Sequence, residues 1–212
     1  MEPVTAGKIL VNGQQTSLRG VRHAKQKYQI GYVTENRKEE GLFLILDVAT
    51  NIATTVWERL SRFLGWVPRR AEEKLATMYV ERLGIRVSSV AQQVGTLSGG
   101  NQQKVSLAKW LAADCAILII DEPTIGIDIR TKDEFHQVIW QLASEGKSIL
   151  LISSDMPEMI HLADRILVMN DLQLVGEMQN SRNYDEMSQN IIQIIHANPG
   201  RTGEVVEEAR HV

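Results

Sequence analysis

Residues 117–128 read ILIIDEPTIGID, and this stretch decides the fold class. Four aliphatics in a row, Ile117, Leu118, Ile119 and Ile120, lack polar alternation, which is the pattern of a strand buried on both faces of a parallel sheet. The chain leaves that strand at its carboxyl end, where open α/β sheets place their ligands. Asp121 and Glu122 stand there. A carboxylate in that place suits magnesium held through water, and a second beside it suits a base for an attacking water. An acidic pair after a strand is also a common solvated turn. Pro123-Thr124 and the run Gly126-Ile127-Asp128 make that bland reading the weaker one.

Upstream, residues 96–107 read TLSGGNQQKVSL. Ser98 is a good helix N-cap, and Gly99 and Gly100 carry no Cβ to hold an anion away from the backbone. The first-turn N–H groups and the positive end of the helix dipole make such a start an anion receptor. A Ser-Gly-Gly turn before an ordinary helix is the simpler reading of these residues alone. It leaves their order ahead of ILIIDEP unexplained. No Gly-x-x-x-x-Gly-Lys-Ser/Thr phosphate loop occurs anywhere in the 212 residues.

Composition narrows the classes. The hydrophobic fraction is 43%, enough for a packed core, and the formal net charge of −3 gives no basic surface for nucleic acid. The five histidines (23, 136, 161, 196, 211) lack metal-ligand spacing, and the single Cys115 has no partner for a disulfide within the chain. No apolar run approaches the roughly 18 residues of a membrane span, and the first residues do not read as a signal peptide.

Outward from the two stretches, the pattern alternates. Residues 8–14 read as a strand into an Asn12-Gly13 turn, with a return at 16–18, a short helix at 21–29 and a strand at 30–34. Residues 35–41 are a charged loop, and Arg37-Lys38 read as solvated, with contact to nucleotide or permease the weaker alternative. Between 42 and 95 the texture is helical. Asp47 caps a helix carrying Ala49, Ile52, Ala53, Val56, Trp57 and Leu60, and Pro68 opens another with Leu75, Met78, Tyr79 and Leu83 on one side. Helices then fall at 101–113, 131–145 and 157–163, and strands at 116–120, 148–152, 166–169 and 172–176. The run ILLI at 149–152 lacks alternation as ILII does and reads likewise as buried on both faces. The four tryptophans read as packing residues and Cys115 as a small core filler. The polar end from about Asn198 reads as a loose tail.

The order LSGGNQQK, ILIIDEPTIGID and then a strand ending in ISSD resembles the nucleotide-binding domain of ATP-binding-cassette transporters, over about residues 3–176. LSGGNQQK and IGYVTENRKEEGL are similar to the second cassette of monosaccharide importers of the ribose, galactose or xylose type. The resemblance implies an α/β fold, an incomplete P-loop NTPase core with an inserted helical subdomain. It implies four parts: 1–41, a remnant of the β lobe without its phosphate loop; 42–95, the helical subdomain; 96–176, the core lobe with signature, magnesium aspartate and interface loop; and 177–212, a C-terminal helix and tail.

It also implies roles. Leu97, Ser98, Gly99, Gly100 and Asn101 form the signature that meets the γ-phosphate of ATP held by an opposite cassette. Asp121 is the magnesium aspartate and Glu122 the catalytic base, while Gly126 and Asp128 cross the dimer interface. Glu35 stands where the family usually has a glutamine between magnesium and permease. Ser154 stands at the switch histidine that steadies the γ-phosphate. The implied cofactors are ATP and Mg2+. The implied partners are a second cassette on the same or another chain, a transmembrane sugar permease and, indirectly, a sugar-binding receptor, with no nucleic acid. The implied place is the cytoplasm, peripheral on the inner face of the plasma membrane.

The missing phosphate loop with its strand and helix would add roughly 30 residues ahead of the first, so the sheet is expected to lack a central strand. Three lost phosphate contacts at about 1.5–3 kcal/mol each bound the loss at roughly 5–9 kcal/mol. Serine in place of a transition-state donor removes about 3–4 kcal/mol more. The expectation is therefore no useful ATP binding at the chain's own site and an intact signature for a partner's site. Two other readings stay open on sequence: a truncated product without function, and the C-terminal half-head of a chromosome-structuring or repair ATPase. The absence of sustained heptads in 42–95 and the acidic balance disfavour the latter.

Overall fold

The computed structural model describes residues 7–62 and 65–198. The sequence readings at residues 1–6, 63–64 and 199–212, including most of the expected tail, lie outside the described residues. The chain divides into two compact units, Met1–Ile152 and Ser153–Val212.

The first unit opens with a small hairpin, β1 (Ile9–Val11) and β2 (Gln14–Thr16), joined through Asn12-Gly13. The return strand begins at Gln14, two residues earlier than the alternation suggests. Helix α1 (Val21–Tyr28) leads to β3 (Ile30–Val33), which joins β4 (Ile117–Asp121) and β5 (Ser148–Ile152) in a parallel sheet of order β3-β4-β5. The registers Tyr32↔Ile119 and Asp121↔Ile152 bring the carboxyl ends of the strands together. β5 pairs with β4 on one side, and no strand among the described residues pairs with its other edge.

One reading of these strands needs correction. ILII and ILLI do not run through a sheet buried on both faces. Leu118 and Ile120 are buried, but Leu150 is 48% and Ile152 44% exposed. Tyr32 on the same face is exposed too. Continuous apolar sequence marks strands that have two faces to cover, and here one of those faces is open.

The helical insert begins at α2 (Val48–Ala53), capped by Asp47 through the Thr50 amide as expected. The expected single helix to Leu60 breaks at Thr54-Thr55 into a 3₁₀ turn before α3 (Trp57–Leu60), because β-branched side chains crowd a helix. Helix α4 (Arg69–Arg82) starts after Pro68. Its inner face is Glu72, Ala76, Tyr79 and Leu83, whereas Met78 points outward. Glu72 is buried because Trp57 Nε1 donates to it at 2.8 Å. Asp47 and Arg69 bond at 2.7 Å and tie α2 to α4. Trp110 is buried as expected, but Trp57, Trp66 and Trp140 are exposed.

Helix α5 (Gly99–Ala112) is the axis of the unit. It packs against α2, α4 and β3, and nearly every residue from Gly100 to Ala112 is buried, as in a helix enclosed on all sides. Helix α6 (Ile129–Ser144) shows the amphipathic alternative, burying Phe135, Val138, Ile139 and Leu142 at helical spacing.

The second unit has α7 (Met156–Leu162), a β6 (Arg165–Asn170)–β7 (Gln173–Gln179) hairpin and α8 (Tyr184–Ala197). Its core is Ile160, Ile166, Val168, Met187 and Ile191.

Candidate functional site

The start of α5 is built from its own sequence. Ser98 is extended (φ −61°, ψ 155°) and occupies the N-cap position, but its side chain does not cap. Its Oγ instead accepts from Asn101 Nδ2 at 2.9 Å. Asn101 Oδ1 in turn accepts from the Arg86 amide at 2.8 Å. With one lone pair of Ser98 engaged by Asn101, the hydroxyl still has a proton to donate. Gln102 holds the approach to the helix from below, donating to the carbonyls of Leu97 at 3.1 Å and Val94 at 3.2 Å.

The two glycines answer to a different pressure from the one their sequence suggests. A Cβ on Gly100 would lie 2.0 Å from Thr131 Cγ2, and one on Gly99 would lie 2.7 Å from Arg37 Nη2 and 3.2 Å from the Gly126 carbonyl. The glycines thus let α5 seat against the loop that follows β4. The space beside both Cα atoms is thus filled from within the chain.

That loop carries the second set of candidates. Asp121 ends β4, and its Oδ2 accepts from Tyr32 Oη at 2.7 Å. The bond to Asp121, with burial and the carboxylate charge, raises the Tyr32 pKa. Glu122 has φ +43°, a left-handed conformation that costs a non-glycine residue about 1–2 kcal/mol. Its amide donates to the Ile152 carbonyl at 2.8 Å, so the ladder to β5 holds the turn in place. Asp128 caps α6, accepting from the Thr131 amide at 3.0 Å and from Thr131 Oγ1 at 2.7 Å. The Thr131 hydroxyl is the main reason its carboxyl titrates below the usual range. Thr131 therefore meets Asp128 with its hydroxyl and lies beside Gly100 with its methyl.

The structure brings Gly99, Gly100, Gly126 and Asp128 into one packed junction. Asp121 bonds Tyr32 and none of residues 97–101. Glu35 is exposed just beyond β3. Ser154 is exposed on the loop before α7, in the second unit. Tyr32 at the site was not singled out by sequence, and Arg37, read as solvated, is half-buried against Gly99. The tripeptide Gly146-Lys147-Ser148 joins α6 to β5, the reverse of the strand-to-helix order of a phosphate loop, and Lys147 pairs with Asp114 at 3.6 Å.

No group of three or more His, Cys, Asp or Glu among the described residues is arranged to hold a metal. Asp121 alone suits magnesium only in the way that ion is usually held, by one or two carboxylates with water and nucleotide phosphates. No helix among the described residues is long and apolar enough to cross a membrane.

A parallel sheet that ends in paired acids, with a glycine-opened helix packed on the loop after them, makes this an α/β domain. The family model described as "ABC transporter" matches residues 1–125. A putative ribose/galactose/methyl galactoside import ATP-binding protein from Burkholderia cenocepacia is 44% identical over 178 residues, 84% of this chain and 35% of that protein. A ribose import ATP-binding protein from Rhizobium etli is 40% identical over 192 residues, 91% of this chain and 37% of that protein. Among solved structures, a dimeric ATP-binding cassette in a post-hydrolysis state with ADP and phosphate superposes with a TM-score of 0.67 at 20% identity, covering 82% of this chain and 74% of that one. The chain belongs to the ABC transporter family. It spans about a third of the length of the curated relatives it matches.

Proposed function

We propose that the chain is an energy-coupling ATP-binding part of a carbohydrate importer, and that it presents its signature to ATP held by a second cassette on the same or another chain. The observation that carries this is the state of Ser98. Asn101 holds its oxygen from behind at 2.9 Å and leaves its proton to donate, at the start of a helix whose dipole favours an anion. The relatives named for sugar import support the carbohydrate class.

The chain's own site is the weaker half. Asp121 and Glu122 stand where magnesium and an attacking water would be held, but these 212 residues carry no phosphate loop, and Ser154 is a poor substitute for a histidine donor. The four-part division at 41, 95 and 176 follows this reading. Within it the insert at 42–95 docks on a transmembrane permease, with Phe43, Ile45 and Trp66 exposed on it as apolar contacts. A sugar-binding receptor acts through the permease, and the chain works in the cytoplasm against the membrane's inner face.

Calorimetry of the 212-residue chain with Mg-ATP tests the division of labour. The expected result is no binding tighter than millimolar by folded, soluble protein. A micromolar dissociation constant would return Asp121 and Glu122 to a working site of their own.

A further inference from the structure

Arg37 opens a single wide turn, Arg37–Gly41, that lies against the start of α5. Its Nη1 donates to the Ile125 carbonyl at 3.4 Å, a long bond, and its Nε is buried without an acceptor. No carboxylate among the described residues pairs with it. The acids of its own turn are engaged elsewhere, Glu39 with Asn36 at 2.8 Å and Glu40 with Thr34 at 3.0 Å. By contrast, Arg69, Arg86 and Arg182 each meet a carboxylate within 3.1 Å.

Stability alone does not favour this placement. The guanidinium adds positive charge where the dipole of α5 is already positive. Burial strips its water and pushes its pKa down, yet arginine stays charged at neutral pH. The seam beneath is also under-satisfied. Gln103, one turn on from Gly99, is fully buried with neither amide atom bonded, and Ser106 Oγ a further turn along is buried and unpartnered. An anion at the helix start would neutralise the guanidinium, give it an acceptor and complement the dipole together.

We infer that Arg37 is the cationic half of an anion receptor whose other half is the first turn of α5, and that its ligand is a terminal phosphate. The inference rests on the reading of Ser98 above and adds a residue to that site. It gives Gly99 a second duty, since any Cβ there would displace the guanidinium.

The test is titration of the isotopically labelled 212-residue chain with inorganic phosphate at constant ionic strength, following the Arg37 Nε–H and the Gly99 and Gly100 amides by NMR. All three signals are expected to move on one saturable curve. Arg37→Gln should weaken the affinity read at the glycine amides about tenfold, the worth of one charge-assisted bond, and Arg37→Lys should keep part of it. If Arg37→Gln does not fold, the wild type's Nε–H and the Lys variant decide. A motionless Nε–H, or a Lys variant that binds no phosphate, overturns the inference. Glycine amides that saturate with unchanged affinity in Arg37→Gln would remove Arg37 from the site and leave the signature reading standing. Glycine amides that never move in the folded wild type would defeat the signature reading, and Arg37 with it.

Discussion

The Tyr32 hydroxyl donates to Asp121 Oδ2 at 2.7 Å, joining two strands at the carboxyl end of the sheet. Tyr32 pairs with Ile119 in register, so its ring spans two residues to reach the aspartate on the same face. The bond holds the phenol protonated to a higher pH than usual. A raised folded pKa contributes stability that is full below the ordinary value near 10 and is lost as pH rises through the folded one. Asp121→Asn should bring the Tyr32 titration back down, as read from the ring carbons of labelled tyrosine by NMR. An unchanged Tyr32 titration would show that the bond is absent in solution.

Gly100 and Thr131 form a second pair. Gly100→Ala places a methyl 2.0 Å from Thr131 Cγ2. It should destabilise the chain by about 1–3 kcal/mol, the usual cost of overpacking. Thr131→Ser removes that methyl and keeps the hydroxyl that Asp128 accepts from, so the double variant should recover part of the loss. Urea unfolding of the four proteins reads the coupling, and strict additivity would refute the contact.

Cys115 is buried, and burial pushes its thiol up to about 11 from 9.0. The folded state should resist alkylation at pH 8 and react only on unfolding. The sign follows from linkage: this stabilisation, on the order of 2–3 kcal/mol, is full below pH 9 and fades as pH rises through 11. Rapid labelling of native protein by iodoacetamide would contradict the burial.

Asp47 works twice, as the cap of α2 and as the partner of Arg69. Burial opposes its charge, but the bonds from Arg69 and Thr50 outweigh it and lower its pKa. Its contribution is thus present above the ordinary value near 4 and lost as pH falls. Asparagine caps as well as aspartate, so Asp47→Ala should cost about 1 kcal/mol more than Asp47→Asn. The gap between wild type and Asp47→Asn should close in acid, as thermal unfolding against pH would record.

The elements legible in sequence are those whose chemistry is local. Asp47 caps the helix that follows it, and the aliphatics of ILIID form a strand with one fully buried face. What sequence did not show depends on contacts between distant segments. Tyr32 and Asp121 are 89 positions apart, and Arg37 reaches Ile125 across 88. Their meeting follows from the β3-β4 pairing and the packing of the turn on α5, which no local pattern encodes. The exposed face of β5 was misread for the same reason, since a run of aliphatics does not say which layer covers it.

The measurement that bears most directly on the proposed role is ATP hydrolysis by this chain assembled with a cassette that carries an intact phosphate loop. Ser98→Ala should lower the turnover by about 10²–10³, the usual effect of removing one phosphate-facing donor, while Glu122→Gln leaves most of it. A Glu122→Gln loss as deep as that of Ser98→Ala would contradict the account, because it would place catalysis in this chain's own carboxylates.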